Sequence, residues 1–256
     1  MADENFSDGV AIVAGGSGAI GGAICRALAA AGSNVALTYR SNQPAGEEVV
    51  ASIGKQGVRG EATQLALEDG EAVVAYVEGV AGRFGRIHSV VYAAGPPLPV
   101  GYASAINPVD WKRVFDLDVN GCFNLVSATI PELRKHRAGA LIAIITSAVE
   151  KVPVQDILSA APKAAIEMLI RGIAKEEGRY GIRANCVGPG FINAGMGAEL
   201  LAREGFEGFT ETLRRSLPLK RFGAAVDIAN AAVFLLSSQA NYITGQSLAV
   251  DGGLQL

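Results

Sequence analysis

The sequence predicts an α/β protein built on a doubly wound parallel sheet of about seven strands with helices on both faces. Three observations predict it. Short apolar runs alternate with longer helical patterns through the 256 residues, the order in which strand, crossover helix and strand build a parallel sheet. Several runs, such as ALIAII at 140–145, are apolar without alternation, as strands are when helices cover both sheet faces. The first run passes directly into an amphipathic segment through a glycine turn. Half of the residues are hydrophobic and no linker composition interrupts them, so a single domain is expected over 1–256.

The first expected strand is Val10-Ala11-Ile12-Val13. It turns through AGGSGAIG, residues 14–21, into GGAICRALAAAG, where Ile24 and Leu28 share a face. Gly16-x-Gly18-x-x-Gly21 at a strand-to-helix turn lets backbone N–H groups approach a diphosphate, whose charge then sits at the positive helix N-terminus. Gly15, Ser17 and Ile20 complete that candidate cradle. The competing reading is a turn needed only for packing, because 32 glycines generate chance matches. Further strands are expected at NVALTY (34–39), VRGEATQL (58–65), IHSVVYAA (87–94), ALIAIIT (140–146), IRANCV (182–187) and SLAV (247–250). The stretch from Phe191 to Leu217 breaks the rhythm with several glycines and both charge signs before Pro218. It reads as a substrate-covering loop at about 190–217 with one or two short helices.

A net charge of −3 with 22 scattered basic residues gives no electrostatic case for a nucleic-acid partner. Cys25, Cys122 and Cys186 are widely spaced in apolar surroundings and read as buried free thiols. His88 reads as a strand residue and His136 as a cationic helix end; no zinc site is expected from so few ligands. MADENFSD has no basic-plus-apolar leader, and the longest apolar run is too short to span a bilayer. A cytoplasmic protein without a membrane partner is expected.

Over nearly its whole length the chain resembles the short-chain dehydrogenase/reductases. The resemblance rests on the glycine turn, YAAG at 92–95, GIRANCVGPG at 181–190 and YITGQSLAVDGG at 242–253. It implies a Rossmann-type sheet and NAD(P)(H) at the carboxyl ends of the strands, lined by Ala93, Ala94, Gly95, Pro189, Gly190 and Ile192. It also implies a small-molecule substrate and a homo-oligomer, commonly a tetramer, with the C-terminal strand near its interface. In dinucleotide folds an acid ending the second strand accepts from the adenosine ribose and repels a 2′-phosphate. Here that strand ends Leu37-Thr38-Tyr39-Arg40-Ser41-Asn42 without a carboxylate. Arg40 offers a guanidinium fork for a phosphate, with Ser41 and Asn42 as added donors, so NADP(H) is expected over NAD(H). The alternative is an exposed arginine opening an ordinary loop.

Members of the family usually carry Tyr-x-x-x-Lys. The segment SAAPK at 159–163 keeps the lysine as Lys163 and puts Ser159 in the tyrosine position, and no tyrosine is expected nearby to replace it. A serine cannot readily ionise near neutral pH, so the ordinary carbonyl-reductase relay is absent. In FDLDVNGCF, residues 115–123, the family asparagine falls on Asp118 and not on Asn120. The family serine matches Ser147, with Thr146 as its rival. Asp118 could instead cap a distorted helix, and Ser147 satisfy local backbone.

Aspartate in the asparagine position, lysine retained and tyrosine absent together resemble the peroxisomal type of 2,4-dienoyl-CoA reductase, as do FDLDVNGCFNLVS and KAAIEMLIRGIA. That branch reduces conjugated thioesters with NADPH. Such a reduction passes through an enolate, which calls for cationic stabilisation and a carboxyl or water as proton source. The resemblance gives Lys163 the nicotinamide ribose and the positive charge, and Asp118 the water that delivers the proton. Ala14, Ala19, Ala66 and Ala194 stand where family members often hold threonine, glycine, aspartate and threonine. Hydrogen bonds of about 1 kcal/mol each are lost there, together enough to weaken cofactor binding roughly tenfold or more. Two other readings remain at this point: a catalytically degenerate subunit that binds nucleotide or a homologous partner, and a carbonyl or alcohol oxidoreductase using Ser147 and Lys163 with water.

Overall fold

The computed structural model describes residues 6, 8–201 and 207–256. Strands β1 (Val10–Ala14), β2 (Asn34–Tyr39), β3 (Gly60–Gln64), β4 (Ile87–Tyr92), β5 (Gly139–Ile144), β6 (Ile182–Pro189) and β7 (Ser247–Val250) form one sheet in the order β3-β2-β1-β4-β5-β6-β7. Every neighbouring pair is parallel. All seven expected strands are present, and the differences are at their ends. The third begins at Gly60, because the Arg59 N–H goes to the side-chain oxygen of Asn34 at 2.9 Å instead of to the ladder. The fourth stops at Tyr92, where Ala93 and Ala94 leave the sheet.

The helices are α1 (Ala19–Ala30), α2 (Gln43–Gly54), α3 (Gly70–Phe84), α4 (Pro108–Val114), α5 (Gly121–His136), α6 (Ile157–Glu177), α7 (Met196–Leu201), α8 (Glu207–Ser216) and α9 (Ala225–Leu236). Their starts follow from local chemistry: Asn42 accepts from the Ala45 N–H and Asp69 from the Ala72 N–H, each closing an orphan donor. The two-residue period of β1 feeds two cores. Val10, Ile12 and Ala14 pack with Val73, Leu125 and Ile166 from α3, α5 and α6. Ala11 and Val13 pack with Ile24, Val49 and Ile228 from α1, α2 and α9 on the other side. This is the doubly wound arrangement.

Two sequence motifs prove to be halves of one structural unit. Arg183 of β6 donates to the carbonyls of Leu235, Leu236 and Ser237 at 2.6, 3.1 and 3.0 Å, closing the C-terminal end of α9. Asn185 holds the next loop, donating to the Ile243 carbonyl and accepting from the Gln246 N–H. IRANCV and YITGQ therefore depend on each other. The three cysteines are free and buried, and burial pushes the thiols up, Cys186 to about 12. His88 lies in β4 and His136 in the last turn of α5. The expected loop at 190–217 carries α7 and α8; residues 202–206 of it lie outside the described residues. No helix among the described residues is long and apolar enough to cross a membrane.

Candidate active site

β1 and β4 are sheet neighbours although β2 and β3 intervene in the chain. The segments leaving their carboxyl ends diverge, which opens a crevice at the reversal of strand order. The glycine turn lines one wall. Gly15 takes φ +78°, and a Cβ there would lie 2.7 Å from the Ala93 carbonyl oxygen; at Gly16 it would lie 2.5 Å from Leu37 Cβ. A side chain at Gly21 would overlap the Gly15 carbonyl oxygen. Gly18 caps α1 without a side chain, and the first turn holds no acid. Ser17 and Ile20 flank this cradle. The helix therefore offers its amide groups to an outside anion, and the cradle suits the diphosphate of a dinucleotide.

The other expected cofactor residues stand at the carboxyl ends of β4 and β6. Ala93 bonds to Ala14 across the switch point, N to O at 2.9 Å. Gly95 stands so that a Cβ there would lie 3.8 Å from Lys163 Nζ. From the far wall, β6 ends at Pro189, and a Cβ on Gly190 would lie 2.7 Å from Asp251 Cα. Ile192 is buried and bridges to Gly223, after which the chain folds back until Gly195 meets the Cβ of Ala19. The loop thus crosses the start of α1.

Beyond β2 the arrangement differs in part from expectation. Arg40 stands at the crevice edge, but its Nη2 is paired with Glu68 Oε1 at 2.7 Å. The side-chain oxygen of Asn42 is spent on the start of α2, which leaves only its amide NH₂ for a phosphate. Ser41 is exposed. Neither the sequence motif nor the strand pattern pointed to Glu68.

At the centre, α4 and α5 are joined by a π-helical turn, Phe115–Asn120. The turn carries Asp118, which is nearly fully buried. Lys163 of α6 donates from Nζ to Asp118 Oδ1 at 2.9 Å and reaches the Ala94 carbonyl at 3.3 Å. Ser159 lies four residues before Lys163 on the same helix face, and its hydroxyl makes no hydrogen bond among the described residues. Asn120 is exposed and bonds to Asp116, away from this cluster. Thr146 Oγ1 accepts from the Ala148 N–H and closes the short turn after β5. Ser147 is buried, and its carbonyl accepts from the Gln255 side chain.

One expectation requires correction. Tyr92, the last residue of β4, is buried beneath the cluster and donates its hydroxyl to Asp118 Oδ1 at 2.8 Å. A tyrosine therefore does lie at this site, though behind Asp118 and not at position 159. Burial first, and the Asp118 charge second, push its phenol well above 10, so the proton stays on.

A family model described as enoyl-(acyl carrier protein) reductase matches residues 14–255. The 3-oxoacyl-[acyl-carrier-protein] reductase FabG of Staphylococcus aureus is 34% identical over 248 residues, covering 96% of this chain and 98% of that protein. The peroxisomal 2,4-dienoyl-CoA reductase SPS19 of Saccharomyces cerevisiae is 32% identical over 253 residues, 97% of this chain and 85% of the other. Among solved structures, an NAD⁺-bound xylitol dehydrogenase superposes with a TM-score of 0.90 at 26% identity, covering 96% of this chain and 98% of the other. The seven-stranded sheet and its dinucleotide crevice are those of a Rossmann-type oxidoreductase. The chain belongs to the short-chain dehydrogenase/reductase family.

Proposed function

We propose that the chain, acting as a single domain over 1–256, reduces an enoyl or dienoyl thioester with NADPH, using Asp118 and Lys163 and no tyrosine at position 159. The observation that carries this reading is the buried contact of Lys163 Nζ with Asp118 Oδ1 at 2.9 Å, on the helix face that bears Ser159. NADPH, when bound, supplies the hydride. The chain's own residues supply the rest. Gly16, Gly18 and Gly21 cradle the diphosphate, and Arg40 favours the 2′-phosphate. Lys163 holds the nicotinamide ribose and places positive charge where an enolate oxygen develops. Asp118 holds the water that protonates the enolate carbon. Ser159 is too short and too weak an acid to substitute for a phenol.

Exposed apolar side chains support an acyl substrate. Val100 and Tyr102 after β4, Val152 and Val154 after β5 and Met196 after β6 are all more than half exposed. The first two loops are tied by Gly101 N to Gln155 O at 3.2 Å. Such a rim lowers the cost of seating a hydrocarbon chain. A homotetramer with β7 near its interface completes the proposal, supported by the place of β7 at the sheet edge, where Leu248 is exposed.

The test is NADPH oxidation with enoyl, dienoyl and ketone substrates. Lys163→Ala and Asp118→Ala should each lower thioester turnover by roughly two orders of magnitude or more, while Ser159→Ala should change it little. Suppose the parent binds NADPH but reduces neither thioesters nor ketones, and Ser159→Tyr creates ketone reduction. The degenerate-subunit reading then replaces this one.

A further inference from the structure

Asp118 is held from two sides. The hydroxyl of Tyr92 lies 2.8 Å from its side-chain Oδ1 and 2.9 Å from its own backbone carbonyl. From the other direction Lys163 reaches the same Oδ1 at 2.9 Å, and its ammonium lies 5.3 Å from the centroid of the Tyr92 ring. Two acceptors of one residue share one phenolic proton, so the Asp118 side chain cannot rotate without breaking its bond to the hydroxyl that also holds its backbone carbonyl. The other oxygen, Oδ2, has no hydrogen bond among the described residues.

The backbone explains why the phenol can do this. Six residues of π-helical turn separate α4 from α5, and such a widened turn pushes its side chains off the ordinary helical positions. Position 118 is thereby set over the end of β4. Tyr92 is almost fully buried; a hydroxyl carried that deep must find a partner, and both the partners it has within 3 Å belong to Asp118.

We propose that Tyr92 is a positioning residue, whose hydroxyl ties Asp118 Oδ1 to the π-helical turn so that Oδ1 seats Lys163 and Oδ2 is kept for water or substrate. The proposal rests on the reading of Asp118 and Lys163 as the reactive pair. The phenol acts through Asp118 and touches no reacting atom.

The experiment is a double-mutant cycle on the full chain with Tyr92→Phe, Asp118→Ala and the pair. Phenylalanine keeps the ring, its packing and the cation above it, and melting curves establish that each variant is folded. In the native background Tyr92→Phe should lower kcat about tenfold with KM within about twofold, the loss expected for one charge-assisted bond. In the Asp118→Ala background it should cause no further loss. The same cycle is read on NADPH dissociation constants by fluorescence titration, where Tyr92→Phe should weaken binding about threefold only when Asp118 is present. A parent without turnover sinks the proposed reaction and leaves the binding cycle to decide the role of Tyr92. No change in native-background binding, or equal fold losses in both backgrounds, overturns the positioning role.

Discussion

Glu68→Gln should tighten NADPH binding and leave NADH binding unchanged. Arg40 is the cation expected to meet a 2′-phosphate, yet its guanidinium sits 2.7 Å from Glu68 Oε1, so the phosphate must compete with a carboxylate already in place. The side chains are 59% and 33% exposed. Bare Coulomb attraction at about 4 Å would be worth about 4 kcal/mol at an effective dielectric near 20. Water and salt screen a pair this exposed, and measured pairs of the kind contribute only about 0.2–1 kcal/mol. Freeing Arg40 is therefore worth up to about fivefold in NADPH affinity. Arg40→Ala should cost about tenfold or more, because hydrogen bonds to charged groups carry about 1.5–3 kcal/mol. Adding Glu68→Gln to it should return nothing, since there is no longer a guanidinium to release.

The assay is fluorescence titration of both reduced nucleotides at low and high salt, and the NADPH gain should shrink as salt rises. An equal gain for NADH, or a gain that survives Arg40→Ala, would refute the reasoning. In the first case Glu68 would be acting on the shared adenosine half. In the second it would be repelling phosphate directly.

Two further predictions concern stability. Arg183→Met should destabilise the fold by roughly 2–4 kcal/mol in urea titrations, because three carbonyls at the end of α9 lose their donor; a loss under about 0.5 kcal/mol would show that water replaces the guanidinium. Acid stability should show two opposing limbs. His88 is lowered by burial to about 4, so the unfolded chain binds the extra proton between about 6.5 and 4, and stability falls as pH drops through that window. Asp156 is raised by burial to about 6, so the native chain holds the extra proton and stability rises as pH drops from about 6 toward 4, by roughly 1–2 kcal/mol after discounting for its partial exposure. Asp156→Asn should therefore steepen the acid loss in melting curves from pH 7 to 4, and an unchanged slope would contradict the assignment.

Most strands were legible as short apolar runs that alternate with longer helical patterns, although β3, GEATQ, is not apolar. Their ends were not, since the Arg59 N–H leaves the ladder for a side chain 25 residues away. Lys163, Asp118 and Ser159 could be aligned by resemblance to familiar positions, but spacing along the chain says nothing of which atoms meet. The same limit hid Glu68, whose approach to Arg40 follows from the β2–β3 register that pairs Tyr39 with Gln64. Tyr92 was hidden more deeply. As the last residue of a buried strand it satisfies every pattern for a core aromatic. Only the π-helical turn, a shift in hydrogen bonding that leaves little trace in composition, carries Asp118 across 26 residues of sequence to its hydroxyl. Tyr92 ends β4, Asp118 lies on the connection that follows it and Lys163 on α6, so all three stand on one side of the switch point, each brought to the site by a different element. A position that reads as core in the strand pattern but carries a polar atom, as a strand-ending tyrosine does, is the place to look for such a partner.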